Sequence, residues 1–165
     1  MKITSIIIDD EPLARKGLRE YIHDVDFLEL VHEFESPVTA MEFVESNPPQ
    51  LIFLDIQMPK LTGMGFIKAM KTKIPVILTT AYPQFAVEGF ELNALDYLVK
   101  PIAFERFLKA ALKAKEYYEI RKENATGKDA SIDHFFIKSD NKLVKIGFDE
   151  VLFVSVAELC DRANE

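Results

Sequence analysis

The chain has 165 residues, of which 48% are hydrophobic and 28% charged, as expected for one full globular domain and part of another. Its formal net charge of −7 argues against broad electrostatic binding to nucleic acid. The single cysteine excludes an intrachain disulfide, and no stretch approaches the roughly 20 apolar residues of a membrane span. We therefore expect a cytoplasmic protein without a membrane partner.

Short apolar runs alternate with longer amphipathic stretches over the first 122 residues. Strands are predicted where the runs are short and rich in β-branched residues, at 3–8, 27–34, 51–54, 75–79 and 95–99. Helices are predicted at 11–24, at 36–47, from the loop after Gly63 to about residue 72, at 85–92 and at 104–122. In the first helix we expect one apolar stripe, made of Leu13, Leu18, Tyr21 and Ile22.

Strict alternation of strands and helices predicts an α/β domain, with a parallel sheet of five strands and helices on both faces. The ligand site of such a sheet lies at the carboxyl ends of its strands. Five polar side chains follow strands one, three, four and five and are therefore predicted to meet at one edge: Asp9, Asp10, Asp55, Thr80 and Lys100.

A polar linker is predicted at residues 124–131, which separates a first domain at 1–123 from a segment at 132–165. The pattern in this last segment predicts three short strands, at 134–138, 143–146 and 151–156, with a turn at Asp140 and Asn141. The chain is therefore expected to end in a short β-rich segment.

The three aspartates predict a divalent cation site. Each pair of carboxylates 4 Å apart costs roughly 4 kcal/mol at an effective dielectric constant near 20, so the cluster requires a cation. Carboxylate oxygens with room for water suit Mg²⁺. Without the metal, repulsion is expected to raise the pKa of at least one aspartate.

The remaining groups predict phosphoryl chemistry. Aspartate is a nucleophile that forms aspartyl phosphates, and Mg²⁺ with Lys100 can neutralise charge on a transferring phosphoryl group. Lys100 is expected to pair with Asp55 at rest, and the Thr80 hydroxyl to bind the new phosphate. Tyr97 precedes Lys100 by three residues and is placed to rotate inward if Thr80 moves.

Five motifs in order along residues 1–122 resemble the receiver domain of two-component response regulators. They are Asp9-Asp10-Glu11-Pro12, Leu54-Asp55-Ile56-Gln57-Met58-Pro59, Gly63, Thr79-Thr80-Ala81 and Tyr97-Leu98-Val99-Lys100-Pro101. The resemblance implies the flavodoxin-like strand order 2-1-3-4-5.

The resemblance also implies roles for individual residues. Asp55 accepts a phosphoryl group from a phosphohistidine of a sensor histidine kinase, and Lys100 and Thr80 bind that group. Mg²⁺ is held directly by Asp10, Asp55 and the backbone carbonyl of Gln57, and mostly through water by Asp9. The remaining implications are a cis Lys100–Pro101 bond, which would aim Lys100 into the pocket, and control of phosphate lifetime by Gln57 and Tyr82.

Phosphorylation is expected to shift the fourth helix, fifth strand and last helix, and to promote homodimerisation through that face. Residues 81–83 and 90–98, with the strand-like runs 135–139 and 151–154, are similar to receivers joined to LytTR-type DNA-binding domains. Because about 34 residues follow Ser131, the LytTR-like segment at 132–165 is expected to be incomplete. DNA would then be a partner only when the complete C-terminal domain is present.

Three other functions remain open at this stage. An aspartyl phosphatase acting on small substrates is disfavoured, because Ile56 and Gln57 follow Asp55 in place of an Asp-x-Asp motif. A nucleotide- or flavin-binding domain is disfavoured, because Asp-Asp-Glu-Pro after the first strand would repel phosphate. A docking module that is never phosphorylated is disfavoured by the complete set of pocket residues. We expect a phosphorylation-dependent switch, with no enzymatic activity beyond its own phosphorylation and slow dephosphorylation.

Overall fold

A computed structural model describes residues 2–82, 94–125, 134–139 and 142–147. The chain divides into two compact units, Met1–Ile120 and Arg121–Glu165. The predicted fourth helix, at 85–92, lies outside the described residues. Among the helices that are described, none has an apolar stretch long enough to cross a membrane.

The first unit is a five-stranded parallel sheet with the order β2-β1-β3-β4-β5, which confirms the predicted flavodoxin-like fold. Its strands are β1 (Ile3–Ile8), β2 (Leu28–Phe34), β3 (Leu51–Asp55), β4 (Val76–Thr80) and β5 (Asp96–Val99). The helices are α1 (Pro12–His23), α2 (Pro37–Ser46), α3 (Gly63–Ala69) and α4 (Phe104–Ala125).

Alternating side chains of the strands supply two apolar cores, one on each face of the sheet. One core contains Ile7 and Phe53 with the buried side of α1 and α4, where Phe107 is fully buried. The other contains Ile8 and residues of α2 and α3. Because the central strands are buried on both faces, their sequences are continuously apolar up to the polar residues that end them.

The helix boundaries follow local capping chemistry. The Ser36 hydroxyl accepts a hydrogen bond from the Val38 amide at the start of α2, and Pro37 occupies the first turn. The third helix ends at Ala69, earlier than predicted, because Met70 has an extended backbone conformation.

One part of the predicted core is wrong. Leu13 is 84% exposed, whereas Leu18 and Ile22 are buried and Tyr21 is partly buried. Leu13 and Leu18 are five positions apart in the sequence, which places their side chains about 140° apart around the helix. Leu13 therefore does not belong to the stripe that packs on the sheet.

The second unit contains an antiparallel pair, β6 (His134–Ser139) and β7 (Lys142–Gly147), in which His134 pairs with Gly147 and Ser139 with Lys142. The predicted turn at 140–141 and the third predicted strand at 151–156 lie outside the described residues. Helix α4 continues to Ala125, so the first two residues of the predicted linker are helical. Neither Asn124 nor Ala125 prevents helix formation, and the nearest strong helix breaker is Gly127.

Candidate functional site

Backbone hydrogen bonds between neighbouring strands bring the predicted site residues to one edge of the sheet. The Asp9 amide donates to the carbonyl of Phe34 at 3.0 Å, and the Lys100 amide donates to the carbonyl of Thr80 at 2.7 Å. In β3, Asp55 pairs with Thr79 of β4. The carboxyl ends of β1, β3, β4 and β5 therefore meet, as the parallel topology requires.

The Lys100 ammonium lies between two buried carboxylates. Its Nζ atom is 2.8 Å from Asp55 Oδ1 and 2.9 Å from Asp9 Oδ2. Asp9 is fully buried, and Asp55 is 4% exposed. A third, exposed carboxylate, Glu11, accepts a hydrogen bond from the same ammonium at 3.3 Å. The pairing of Glu11 with Lys100 is not among the sequence-based predictions, although the position of Glu11 beside the aspartate pair was a usable signal.

The other carboxylate oxygens accept hydrogen bonds from nearby backbone amides. The Glu11 amide donates to Asp9 Oδ1 at 2.9 Å, and the Gln57 amide donates to Asp55 Oδ2 at 2.7 Å. Each aspartate therefore binds the amide two residues ahead with one oxygen and faces Lys100 with the other. This arrangement fixes both carboxylates before any ligand arrives.

Burial raises the pKa of Asp55 to about 6, because it outweighs the stabilising effect of Lys100, and Asp9 adds further repulsion. Burial likewise raises the pKa of Asp9. The carboxylates of Asp55 and Asp9 outweigh burial at Lys100 and raise the pKa of its ammonium, which stays charged. The predicted rise in the pKa of at least one aspartate is therefore present. Its largest cause is burial, and repulsion between the carboxylates contributes less.

The loop after β3 closes tightly over Asp55. The Gly63 amide donates to the carbonyl of Ile56 at 2.9 Å, and Lys60 has a left-handed backbone with φ of 70°. A Cβ atom at Gly63 would overlap the backbone carbonyl oxygen of Asp55. Glycine is therefore required at Gly63 for this close approach of the two backbone segments.

The structure also places the predicted phosphoryl-binding and switch residues. Thr80 is buried at the end of β4, and its Oγ1 atom accepts a hydrogen bond from the Tyr82 amide at 3.0 Å. Tyr97 is half-buried on β5. The Lys100–Pro101 peptide bond is cis.

The residues present can accommodate Mg²⁺. Asp9 Oδ2 is buried and, among the described residues, has no hydrogen-bond donor in addition to its ion pair with Lys100. Asp10 is half-buried directly after it, and Gln57 is exposed beside Asp55. No three acidic, histidine or cysteine side chains of the described segments form a ready-made cage. Such a sparse set suits Mg²⁺, which is usually bound by one or two carboxylates together with water and substrate phosphate.

Two arginines near the site were missed by the sequence analysis. Arg15 donates to the carbonyl of Asp9 at 2.6 Å and so supports the turn after β1. Arg106 forms a two-pronged ion pair with the buried carboxylate of Asp96, beside Tyr97. No local pattern signals these contacts, because each joins a helix to a strand end or turn.

Comparison with known proteins gives one consistent result. The family model for the response regulator receiver domain matches residues 6–112. An uncharacterized response regulatory protein of Shewanella oneidensis is 32% identical over 154 residues, which are 92% of this chain and 65% of the relative. The sensory transduction protein LytT of Bacillus anthracis is 28% identical over 161 residues, with 93% of this chain and 65% of the relative covered.

A solved structure has the same architecture. The response regulatory domain of MrkE from Klebsiella pneumoniae is 32% identical, with a TM-score of 0.66, and the match covers 71% of this chain and 98% of that one. The chain spans about two thirds of the length of the two curated relatives. The family match at residues 6–112 includes all four strand ends that carry the site.

Proposed function

The chain belongs to the response-regulator receiver family, and we propose from this premise that it is a signalling switch phosphorylated on Asp55 by a sensor histidine kinase. Proteins of this family are signalling proteins of two-component systems rather than enzymes with a turnover of their own. The proposal assigns Asp55 as the phosphoacceptor, Mg²⁺ as the cofactor, and Thr80 and Lys100 as the groups that hold the transferred phosphoryl.

One observation carries the proposal: the Lys100 ammonium lies 2.8 Å from Asp55 Oδ1 and 2.9 Å from Asp9 Oδ2 at the carboxyl edge of the sheet. A buried nucleophilic carboxylate beside a fixed cation can accept a phosphoryl group. The cation is already in place to neutralise the negative charge that the phosphoryl group adds. A purely structural ion pair would not require a second buried carboxylate on the same ammonium.

In the proposed step, an oxygen of Asp55 forms a bond to phosphorus while the phosphorus–nitrogen bond of the phosphohistidine breaks. The imidazole leaves with the electron pair and takes up a proton. Mg²⁺ would be held by Asp9, Asp10, Asp55 and the backbone carbonyl of Gln57, and when bound it neutralises charge on the phosphoryl oxygens. The closed loop ending at Gly63 fixes the Asp55 backbone during the transfer.

After transfer, Lys100 binds one phosphoryl oxygen. The Thr80 hydroxyl gives up its hydrogen bond with the Tyr82 amide and binds another phosphoryl oxygen. Tyr97 then moves inward, and β5 and α4 shift with the segment 85–92. The shift is a change of population between two packings, which requires that the second packing also exists in the unmodified protein. The shifted face controls homodimerisation.

The names of the relatives suggest the output. LytT is a sensory transduction protein, and BtsR of Salmonella typhi, 38% identical over 109 residues, is a transcriptional regulatory protein. We infer a cytoplasmic regulator with a receiver whose last helix is α4, a linker that follows Ala125 and a LytTR-like segment at 132–165. In a protein with the complete C-terminal domain, dimerisation would align two DNA-binding domains and control transcription.

Acetyl phosphate with Mg²⁺ tests the assignment. Intact-mass measurement is expected to show one added phosphoryl group on the wild type and none on Asp55→Asn. Asp26→Asn, a change at an exposed aspartate, is the matched control and is expected to behave as the wild type. Phosphorylation of Asp55→Asn to the same extent would contradict the proposal, as would steady turnover of a phosphate ester by the wild type.

A further inference from the structure

Both backbone hydrogen-bonding groups of Tyr97 are bound by side chains. The Asp96 carboxylate accepts the Tyr97 amide at 2.9 Å, and Arg106 Nη2 donates to the Tyr97 carbonyl at 2.8 Å. The strand that carries them, β5, is the last of the described sheet. The backbone of the proposed switch residue is therefore held by an ion pair along the outer side of this strand.

The same guanidinium also contacts the ring. Arg106 Nη1 and Nη2 donate to the two oxygens of Asp96 at 2.9 and 2.6 Å, and the guanidinium carbon lies 5.8 Å from the centre of the Tyr97 ring. Asp96 is buried, so its carboxylate gives the guanidinium a rigid support. A cation fixed over an aromatic face favours the ring position that it covers.

We propose that Arg106 is a positioning residue that holds the Tyr97 ring in its half-buried, resting position and so sets how readily the switch responds. The inference rests on the proposed function, because it assigns a control element to the switch at Asp55. Loss of the guanidinium would remove one contact that favours this ring position and would increase the population of the shifted state. Acetyl phosphate would then modify Asp55 about two- to five-fold faster. This is the change in population expected from the loss of one exposed cation–π contact.

Lys113 offers a matched control. Its Nζ atom is 3.0 Å from Asp96 Oδ2, so Lys113→Met also removes a cation from the buried carboxylate, whereas the cation that lies over the Tyr97 ring belongs to Arg106. Arg106→Met removes the ion pair with Asp96, the hydrogen bond to the Tyr97 carbonyl and the contact with the Tyr97 ring at once. If Arg106 only stabilises Asp96, the two variants should lose stability and leave the Tyr97 ring in the same environment.

The ring can be observed directly by ¹⁹F NMR of the full chain labelled with 3-fluorotyrosine. The sequence has five tyrosines, and the Tyr97 resonance is the one that Tyr97→Phe removes. In unphosphorylated Arg106→Met we expect this resonance to move toward its position in phosphorylated wild type, whereas Lys113→Met leaves it in place. Asp96→Asn with Arg106→Met, which leaves no buried charge, is expected to give the same displacement if Arg106→Met folds poorly.

The outcomes separate the two proposals. A Tyr97 resonance that is unmoved by Arg106→Met, or moved equally by Lys113→Met, overturns the role of Arg106 while phosphorylation of Asp55 can still stand. If the wild type gains no phosphoryl mass with acetyl phosphate and Mg²⁺, the proposed function fails first, and the role of Arg106 in switching fails with it.

Discussion

At the scale of single residues, the site is a compromise between burial and charge. Asp55 is buried because it ends a central strand, and its ionised form is stabilised by one ammonium that it shares with Asp9. The raised pKa of Asp55 shows that this sharing does not fully offset the loss of hydration. A site of this kind is less stable without a cation than a neutral pocket of the same shape would be.

The first prediction concerns Asp55→Asn and stability. Folding raises the pKa of Asp55 from 3.8 to about 6, so the folded state binds a proton more readily than the unfolded state. Stability should therefore fall as pH rises from 4 to 6 and stay lower above that range. Without Mg²⁺, the free energy of unfolding of Asp55→Asn should be about 1–3 kcal/mol higher than that of the wild type at pH 8. The difference should be much smaller at pH 4.

Urea denaturation at the two pH values measures this difference, with Asp26→Asn as the exposed control. Equal stability of Asp55→Asn and wild type at pH 8 would show that burial does not raise the pKa of Asp55 as described. Adding Mg²⁺ should stabilise the wild type more than Asp55→Asn, because binding to the folded state alone raises the free energy of unfolding.

The second prediction concerns Lys100→Met, which leaves Asp9 and Asp55 buried without their shared cation. Removing one member of a buried ion pair typically costs about 3–5 kcal/mol, and we expect a loss in this range at pH 8. The loss should become smaller as the pH is lowered, because burial raises the pKa of both carboxylates and protonation removes their charge. Phosphorylation by acetyl phosphate should fall at least about tenfold, because one charged contact to the phosphoryl group is lost.

Chemical denaturation and intact-mass time courses check the prediction for Lys100. Lys73→Met, a change at an exposed lysine, should alter neither the free energy of unfolding nor the rate of phosphorylation measurably. A Lys100→Met protein as stable at pH 8 as the wild type would mean that the two carboxylates do not depend on this ammonium.

At the scale of elements, the loop between β3 and α3 restrains the end of β3, where Asp55 lies. The loop turns back on itself so closely that the Gly63 amide donates to the carbonyl of Ile56, and a Cβ atom at Gly63 would overlap the carbonyl oxygen of Asp55. On the opposite side, Tyr21 of α1 donates to the carbonyl of Ile102 at 3.0 Å, just after Lys100 and Pro101. Two neighbouring elements therefore restrain the segments that carry the nucleophile and the ammonium.

The third prediction compares two glycines. Gly63→Ala should destabilise the protein by about 1–3 kcal/mol, since the new methyl group must displace the backbone next to Asp55, and it should slow phosphorylation. Gly17→Ala, in the interior of α1, meets no atom within 4 Å and should stabilise by up to about 1 kcal/mol.

Thermal melts and acetyl phosphate time courses of both glycine variants distinguish a local from a general effect. Gly17→Ala should phosphorylate at the wild-type rate. If Gly63→Ala keeps both its stability and its rate, the close approach of Gly63 to Asp55 does not matter for the site.

At the scale of the whole molecule, the site residues that the structure describes all belong to the first compact unit. Among the described residues, both apolar cores are built between Ile3 and Tyr118, and the site contacts given above lie between Asp9 and Lys113. The second unit, from Arg121 onward, contributes its own antiparallel strand pair. The curated relatives are about half as long again as this chain, so the output of a full-length protein remains a proposal.

The fourth prediction follows from this division. A fragment of residues 1–125 should unfold cooperatively with a midpoint close to that of the first unit in the whole chain, because both cores are retained. It should also gain one phosphoryl group from acetyl phosphate. Circular dichroism melts and intact mass test both statements, and an unfolded fragment would show that residues beyond 125 complete the receiver core.

The pattern of apolar runs was enough to predict the fold and the side chains that meet at the carboxyl edge of the sheet. Continuous apolar runs ended by Asp9, Asp55, Thr80 and Lys100 are visible without coordinates, because a parallel sheet forces its strand ends to one edge. The metal ligands, including Asp10 and Gln57, stay predictions.

The pairing of these groups, in contrast, follows from long-range packing that the sequence pattern does not show. Contacts such as Glu11 with Lys100, Arg15 with the Asp9 carbonyl and Arg106 with Asp96 join segments that local patterns treat separately. The exposure of Leu13 likewise depends on which side of α1 meets the sheet. Periodicity predicts whether a segment is a strand or a helix and which side chains share a face. How deeply Asp55 is buried, and with it the raised pKa of Asp55, depends on all the elements that pack around the site.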